Sequence, residues 1–120
     1  AAADLVETEE GSIVARLENG QASFLLAGDR PHEEAVLPDI GPAHVLKVAH
    51  HGSKYSTSDA WLARVQPKVA IVSVGKNRYG HPADEVLRRL QAIGTEVLRT
   101  DEIGNIVFVC HQDTCVRERR

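Results

Sequence analysis

Short apolar segments of strand length alternate with segments of helical period, and this alternation constrains the fold more than any other feature of the chain. The runs 44–49 and 68–74 are rich in aliphatic and β-branched residues and lie close to Gly or Pro. Segments 57–65 and 82–93 instead repeat apolar residues at spacings of three and four. Strands that alternate with short helices predict a layered α/β fold.

The beginning of the pattern is antiparallel. Residues 12–18 and 21–27 are predicted to be two strands joined at Asn19-Gly20, a dipeptide strongly typical of tight hairpin turns. Because this hairpin precedes the segments expected to be parallel, the sheet is predicted to be mixed.

The remaining elements are expected to be short. Pro31 and two glutamates favour a short helix over 31–37, because proline suits a first helical position and acidic groups favour a helix N-terminus. Residues 95–99 and 105–110 are predicted to form a closing strand pair around a turn at 101–104.

Length and composition predict one domain with a hydrophobic core. The chain has 120 residues, 42% of them hydrophobic, and a formal net charge of −3. Bulk electrostatics therefore do not attract it to nucleic acid, and its apolar runs are too short to span a bilayer. We expect a disordered or added N-terminal segment over 1–11, the domain over 12–110 and a polar tail over 111–120.

The two cysteines lie near the C-terminus. Cys110 and Cys115 match none of the short Cys-x-x-Cys zinc or redox patterns. A disulfide across a tight return and two unpaired thiols are both consistent with this spacing. The cysteines alone therefore do not determine the redox compartment.

Residues suited to metal chemistry follow three of the predicted strands. Asp29 follows the hairpin, His50 and His51 follow the strand over 44–49, and His81 follows the loop after the next strand. Strand ends are rigid positions for ligands, and neutral imidazole is the commonest metal ligand. A carboxylate such as that of Asp29 can bridge two metal ions. The pattern predicts part of a metal-dependent hydrolase site.

Each of these residues also has a purely structural interpretation. Asp29 is a favoured residue type for capping a following helix. The adjacent histidines can be partly exposed loop residues, and His81 can begin a helix after a solvated basic loop. Three histidines lack any such context and are interpreted as surface or strand-end residues: His32, His44 and His111.

Two loops offer groups for a substrate. The loop before His81 carries cationic and hydrogen-bonding side chains suited to phosphate, and a serine follows the histidine pair. The candidate substrate-binding residues are therefore Ser53, Lys76, Asn77, Arg78 and Tyr79.

The chain contains no His-x-His pair and no His-x-His-x-Asp-His run. The chain offers two or three metal ligands, which is fewer than a pair of metal ions requires. By spacing alone, the chain is not expected to complete a two-metal site.

Three blocks of sequence resemble the metallo-β-lactamase-like domain of ComEC-type competence proteins, bacterial inner-membrane proteins that import single-stranded DNA. The blocks are residues 24–29, 46–53 and 73–82, and residues 97–104 are also similar. The resemblance extends over about residues 12–108, and its most specific part is the end of the third block.

The resemblance implies that this α/β chain is the C-terminal half of a four-layer αβ/βα sandwich, with a mixed sheet and two to three helices. The family's N-terminal half carries the His-x-His-x-Asp-His ligands and is the missing partner of this chain. We therefore expect exposed apolar surface, with self-association or rearranged edges.

The resemblance also implies roles for the strand-end residues. Asp29 matches the bridging metal ligand. His51, or less closely His50, matches a late metal ligand, and its neighbour lies near the scissile phosphate. His81 matches a histidine that holds or protonates the leaving group. The implied cofactor is Zn²⁺ or Mn²⁺ in the parent domain, with weak or no metal binding in this chain alone.

The activity implied for the parent is hydrolysis of the non-transforming DNA strand, by a domain outside the bilayer of an inner-membrane protein. The isolated chain is expected to be inactive. Two alternatives remain from the sequence. One is a hydrolase of the same superfamily that acts on a small phosphodiester or lactone, and the other is a non-catalytic module that guides DNA with the loop 76–78.

Overall fold

Among the residues that it describes, the computed structural model shows an α/β arrangement with a six-stranded mixed sheet, a separate two-stranded hairpin and three α-helices of more than one residue. It describes residues 2–7, for which only the backbone is considered, and residues 13–29, 33, 41–112 and 114–118.

The six-stranded sheet has its strands in sequence order. The first three strands form an antiparallel meander, and the third to sixth are mutually parallel, so the mixed sheet predicted from the sequence is confirmed. Its strands are β1 (Ala2–Glu7), β2 (Ile13–Asn19), β3 (Ala22–Leu26), β4 (Val45–Lys47), β5 (Val69–Val72) and β6 (Glu96–Arg99).

The predicted β2–β3 hairpin is confirmed, with its turn moved by one residue. Asn19 pairs with Ala22, so the turn residues are Gly20 and Gln21. Gly20 has a φ of 59°, a value that glycine reaches without a steric penalty.

The helices are α1 (Asp59–Val65), α2 (Asp84–Ala92) and the single turn α3 (Thr100–Ile103). Ser58 caps α1, because its Oγ accepts the Trp61 N–H at 3.1 Å. Pro82 does not begin α2 as expected. The helix starts at Asp84, since Ala83 and its neighbours are still extended or turning.

The core lies between helices α1 and α2 and one face of the sheet. Alternate residues of the strands point to this face, and the apolar side of each helix covers them. The largest fully buried apolar side chains are Trp61, Leu25, Leu46, Leu62, Leu90, Val14, Val48, Val65, Val72 and Val86.

Two segments expected to lack structure form strands instead. Ala2–Glu7 pairs with β2 along its whole length, so the backbone groups that face β2 are hydrogen-bonded despite the polar sequence around the strand. At the other end, β8 (Thr114–Glu118) lies within the segment expected to be a polar tail, and it pairs with β7 (Val107–His111). Pairing of the backbone outweighs polar composition in both places.

The expected pairing of 95–99 with 105–110 is wrong. Strand β6 lies parallel to β5 in the main sheet, and β7 pairs with β8 in the second sheet. The turn expected at 101–104 is helix α3. The helix expected over 31–37 lies outside the described residues, except for Glu33.

The hairpin β7–β8 is cross-linked and packs on the main sheet. Cys110 and Cys115 face each other across it and form a disulfide, which resolves the alternatives left open by the sequence. The rings of Phe24 and Phe108 meet edge to face with their centroids 5.6 Å apart. Phe24 projects from the sheet face opposite the core, so the hairpin covers part of that second face.

Within the described part of the chain, no helix has both the length and the apolar character needed to cross a bilayer.

Candidate functional site

The candidate site begins where β4 ends. A 3₁₀ turn over Ala49–Gly52 carries the adjacent histidines, and both have left-handed backbone angles, with φ of 48° at His50 and 55° at His51. Non-glycine residues avoid this region at a cost of about 1–2 kcal/mol each, and residues held there concentrate at functional sites.

The turn is tied to the neighbouring strand end. The His50 N–H donates to the Gly28 carbonyl at 2.9 Å, and the Ser53 N–H donates to the His50 carbonyl at 3.0 Å. Asp29 follows Gly28 directly and is exposed. The ends of β3 and β4 therefore bring the backbone of Asp29 close to that of the histidine pair, as the sequence predicts for parallel neighbours.

A close backbone contact brings the third histidine to the same place. The Ala83 N–H donates to the Gly52 carbonyl at 2.9 Å. A Cβ atom at Gly52 would lie 2.6 Å from the Pro82 Cβ, so only glycine permits this approach. His81 directly precedes Pro82, so this contact places it against the histidine turn.

The three imidazole rings form a cluster. The ring centroids of His50 and His81 are 5.5 Å apart, and those of His50 and His51 are 6.2 Å apart. The structure therefore brings the three histidines together at the ends of neighbouring strands.

The ring of His51 is oriented by the end of β5. Its Nδ1 lies 2.6 Å from the Ser73 carbonyl, which only accepts, so Nδ1 carries the proton. With the proton on Nδ1, Nε2 is the ring nitrogen that can offer an electron pair to a metal ion. A backbone carbonyl on the other ring nitrogen is the arrangement that orients metal-binding histidines.

Burial, followed by the charges of His50 and His51, lowers the pKa of His81 below its ordinary value. Both causes disfavour the imidazolium form. His81 therefore remains neutral at a lower pH than a free histidine does.

The side chain of Asn77 organises the loop before His81. Its amide nitrogen donates to the carbonyls of Gly75 and His81 at 3.0 and 2.8 Å. Its amide oxygen accepts the N–H groups of Tyr79 and His81 at 3.0 and 3.1 Å. Both ends of this amide are engaged within the loop, so Asn77 shapes the loop rather than offering a group to a substrate.

The other candidate substrate contacts differ in exposure. Lys76, Arg78 and Tyr79 are exposed beside His81. Ser53 is 3% exposed, and its Oγ accepts the Tyr55 N–H at 3.3 Å. Ser53 therefore anchors the turn from within, and the three loop residues remain the accessible candidates.

Glu33 is a functional-site neighbour that the sequence analysis missed. Its buried carboxylate accepts the Thr57 N–H at 3.1 and 3.0 Å, and Thr57 has a φ of 58°. The contact fixes the loop after the histidine turn. No signal in the sequence distinguishes this glutamate from its acidic neighbour, since only the tertiary fold buries it.

The loop after the histidine pair also contains Lys54 and Tyr55, which were not among the candidate residues predicted from the sequence. The Lys54 ammonium lies 5.2 Å from the centre of the Tyr55 ring. An aromatic residue within an otherwise polar loop was the available signal.

The described residues contain no group of three His, Cys, Asp or Glu side chains arranged to hold a metal ion. The chemistry of Asp29 and of the His51 Nε2 atom suits a divalent ion, but two such donors do not satisfy its coordination. These residues fit a metal site only in part.

Comparison with curated proteins identifies relatives of this chain. It is 44% identical over 113 residues to ComE operon protein 3 of Bacillus subtilis (strain 168), an alignment that covers 89% of the chain. It is 38% identical over 103 residues to competence protein ComA of Neisseria gonorrhoeae, covering 81% of the chain. The chain belongs to the ComEC-type competence family. Recombination protein 2 of Haemophilus influenzae (strain ATCC 51907 / DSM 11121 / KW20 / Rd) is 37% identical over 105 residues, covering 85% of the chain.

The ComEC-type chain spans only about one seventh of these relatives, namely 14%, 15% and 13% of their lengths. No family model matches it.

Proposed function

We propose that this chain is the C-terminal half of a metallo-β-lactamase-like domain, and that the complete domain hydrolyses phosphodiester bonds of the non-transforming DNA strand during uptake. The observation that carries this proposal is the convergence of His50, His51 and His81 at one edge of the sheet, beside the strand end that bears Asp29. The names of two relatives refer to competence and that of a third to recombination.

In the proposed domain, His51 would hold a metal ion through Nε2, and Asp29 would be a further metal ligand. Zn²⁺ or Mn²⁺ held there would supply an activated water and neutralise charge on the phosphate. His50 lies next to the scissile phosphate. The pKa of His81 is lowered, so its ring is more often uncharged than that of a free histidine. In the proposed domain this ring holds the leaving oxygen or exchanges a proton with it.

The remaining metal ligands come from another part of the parent protein, which packs on the second face of the sheet. Ile13, Leu17 and Leu26 share that face. Ala15 lies on the same face of β2 as Ile13 and Leu17, and it is paired with Leu26 of β3. These side chains are 57%, 43% and 41% exposed. An apolar sheet face of this kind is what a second sheet covers in a sandwich. The parent is proposed to reside in the bacterial inner membrane.

The test uses the parent protein with labelled single-stranded and double-stranded DNA and added Mn²⁺ or Zn²⁺. Asp29→Asn and His51→Gln are each expected to lower the hydrolysis rate by roughly 100-fold or more, because each removes a metal ligand. His111→Gln is the matched control, since His111 is exposed on the separate hairpin. Hydrolysis that survives both site substitutions would refute the proposal. We expect no hydrolysis by the isolated chain.

A second candidate function is favoured by one observation, the exposure of Lys76 and Arg78 beside the histidine cluster. In this reading the segment guides DNA without cleaving it. A gel-shift assay at two salt concentrations tests it, because contacts with phosphates make binding salt-dependent. Binding that is unchanged both by salt and by a double Lys76/Arg78→Gln substitution would remove this candidate.

A further inference from the structure

A groove of about 570 Å³ begins at His81 and runs along the loop that follows the histidine pair. Both tyrosines of the chain, Tyr55 and Tyr79, line it. They are 61% and 82% exposed, so neither ring contributes to the core. Large aromatic side chains left this accessible, on two loops that border one groove, are typical of a binding surface.

The aromatic surface continues into the histidine cluster. The Tyr79 ring centroid lies 5.7 Å from that of His81, with the planes 32° apart, and His81 in turn contacts His50. On the other side of the groove, Lys54 lies over the Tyr55 ring. Flat rings therefore extend outwards from the place where the scissile phosphate is proposed to lie.

The charges in the groove do not suit a phosphate. Asp84 and Glu85 line it together with a single cation, Lys54. Carboxylates repel a phosphate, but they accept hydrogen bonds from the N–H groups on the edges of nucleobases, including the ring N–H of thymine. Two aromatic surfaces with carboxylates between them match the flat face and the hydrogen-bonding edge of a base.

We infer that this groove binds an unstacked nucleobase of a single-stranded nucleic acid, with Tyr55 and Tyr79 as its stacking surfaces. This inference rests on the proposed function, because it places the base next to the phosphate at His81. A base within a duplex is stacked and paired, so only a single strand or an opened end presents one to the groove. The groove would therefore select the strand state of the substrate rather than its sequence.

The test measures the affinity of the chain for fluorescent oligo-dT and for an abasic oligonucleotide of equal length, by fluorescence anisotropy. Replacing Tyr55 or Tyr79 with Leu is expected to weaken oligo-dT binding roughly 5- to 150-fold, the range that corresponds to loss of one stacked base. Tyr→Phe at either position keeps the ring and is expected to keep the affinity. Thermal melting of each variant identifies any that fail to fold.

The abasic oligonucleotide separates base contacts from phosphate contacts. It is expected to bind the wild type weakly, and to bind the Leu variants with the same weak affinity. A Lys76/Arg78→Gln chain is expected to lose affinity for both oligonucleotides and to show a smaller salt dependence. Equal wild-type affinity for the two oligonucleotides, or Leu variants that bind oligo-dT normally, would overturn the inference.

The outcomes also separate this inference from the proposed hydrolysis. Base-dependent binding in a parent protein that cleaves no DNA would support the groove and refute the nuclease. Equal cleavage and binding of the abasic strand would support the nuclease and refute the groove.

Discussion

At the residue scale, the candidate site combines positions that the sequence reveals with backbone angles that it does not. The strand-end pattern identified Asp29, the histidine pair and His81, because apolar runs followed by polar residues or by a polar loop are visible without a structure. The left-handed angles of His50 and His51 were not foreseen, because no local residue pattern indicates them.

The left-handed angle predicts that glycine is favoured at position 50 by the backbone alone. We expect His50→Gly to be about 1 kcal/mol more stable than His50→Ala, because glycine adopts a φ of 48° without a steric penalty. Urea denaturation of both variants measures the difference.

Gln91, exposed within α2, provides the control. At this position the order of stability should reverse, and the Gln91→Gly variant should be less stable than Gln91→Ala by about 1 kcal/mol. A chain in which Ala is at least as well tolerated as Gly at position 50 would contradict the backbone described for this turn.

The neighbours of His81 predict its titration. We expect the pKa of His81 to lie below the ordinary histidine value, chiefly because of burial and secondarily because of His50 and His51. His50→Gln should raise this pKa part of the way back, since burial remains. NMR titration of the imidazole signals measures both.

The same lowered pKa has a consequence for stability. His81 binds a proton more tightly in the unfolded chain than in the folded one. Its contribution to the free energy of unfolding is therefore present above its pKa in the unfolded chain, near 6.5, and is lost as the pH falls through its pKa in the folded chain.

A wild-type His81 that titrates at or above the ordinary histidine pKa would show that the three rings are not clustered.

At the element scale, the contact between two loops determines whether the histidines meet. The Gly52–Pro82 approach joins the turn after β4 to the segment before α2. This approach was not foreseen from the sequence, because Gly52 and Pro82 are 30 positions apart and no local pattern links them.

Substitution of this glycine tests the contact. Gly52→Ala is expected to destabilise the fold by about 2–4 kcal/mol, because a left-handed angle and a clash with the rigid proline ring act together. Gly94→Ala serves as the control, since Gly94 has a φ of 77° but open space around its Cβ position. Gly94→Ala should lower the free energy of unfolding by only about 1 kcal/mol. Equal costs at the two positions would exclude the close approach.

The elements that the sequence predicted best are those with strong local signals. The β2–β3 hairpin and helix α1 carry a turn dipeptide and a serine cap, and both are present. The strands β1 and β8 were missed because their sequences are polar and their pairing depends on a partner strand.

At the scale of the whole molecule, the fold separates two surfaces. The helices cover one face of the sheet, and the opposite face keeps exposed apolar residues on β2 and β3 despite the β7–β8 hairpin. The sequence predicted a mixed α/β sheet, but it did not show which part of the second face the chain would cover itself. That coverage depends on the cross-linked hairpin, which was expected to be a strand and a loose tail.

The exposed face predicts the behaviour of the isolated chain in solution. We expect concentration-dependent self-association, measured by light scattering, because Leu17 and Leu26 leave apolar surface in water. Leu17→Glu and Leu26→Glu should lower the apparent mass. Ile93→Glu is the control, since Ile93 is 50% exposed after α2 and away from this face. A strict monomer at every concentration would contradict the prediction.

The hydrogen bonds that hold the histidine turn have a consequence for the order of assembly. The Gly28–His50 and Gly52–Ala83 bonds both lie within this chain, so its own folding orients the imidazoles. In the proposed domain, the other half then arrives at a half-site that is already shaped. Docking of the other half then needs only to deliver the remaining ligands.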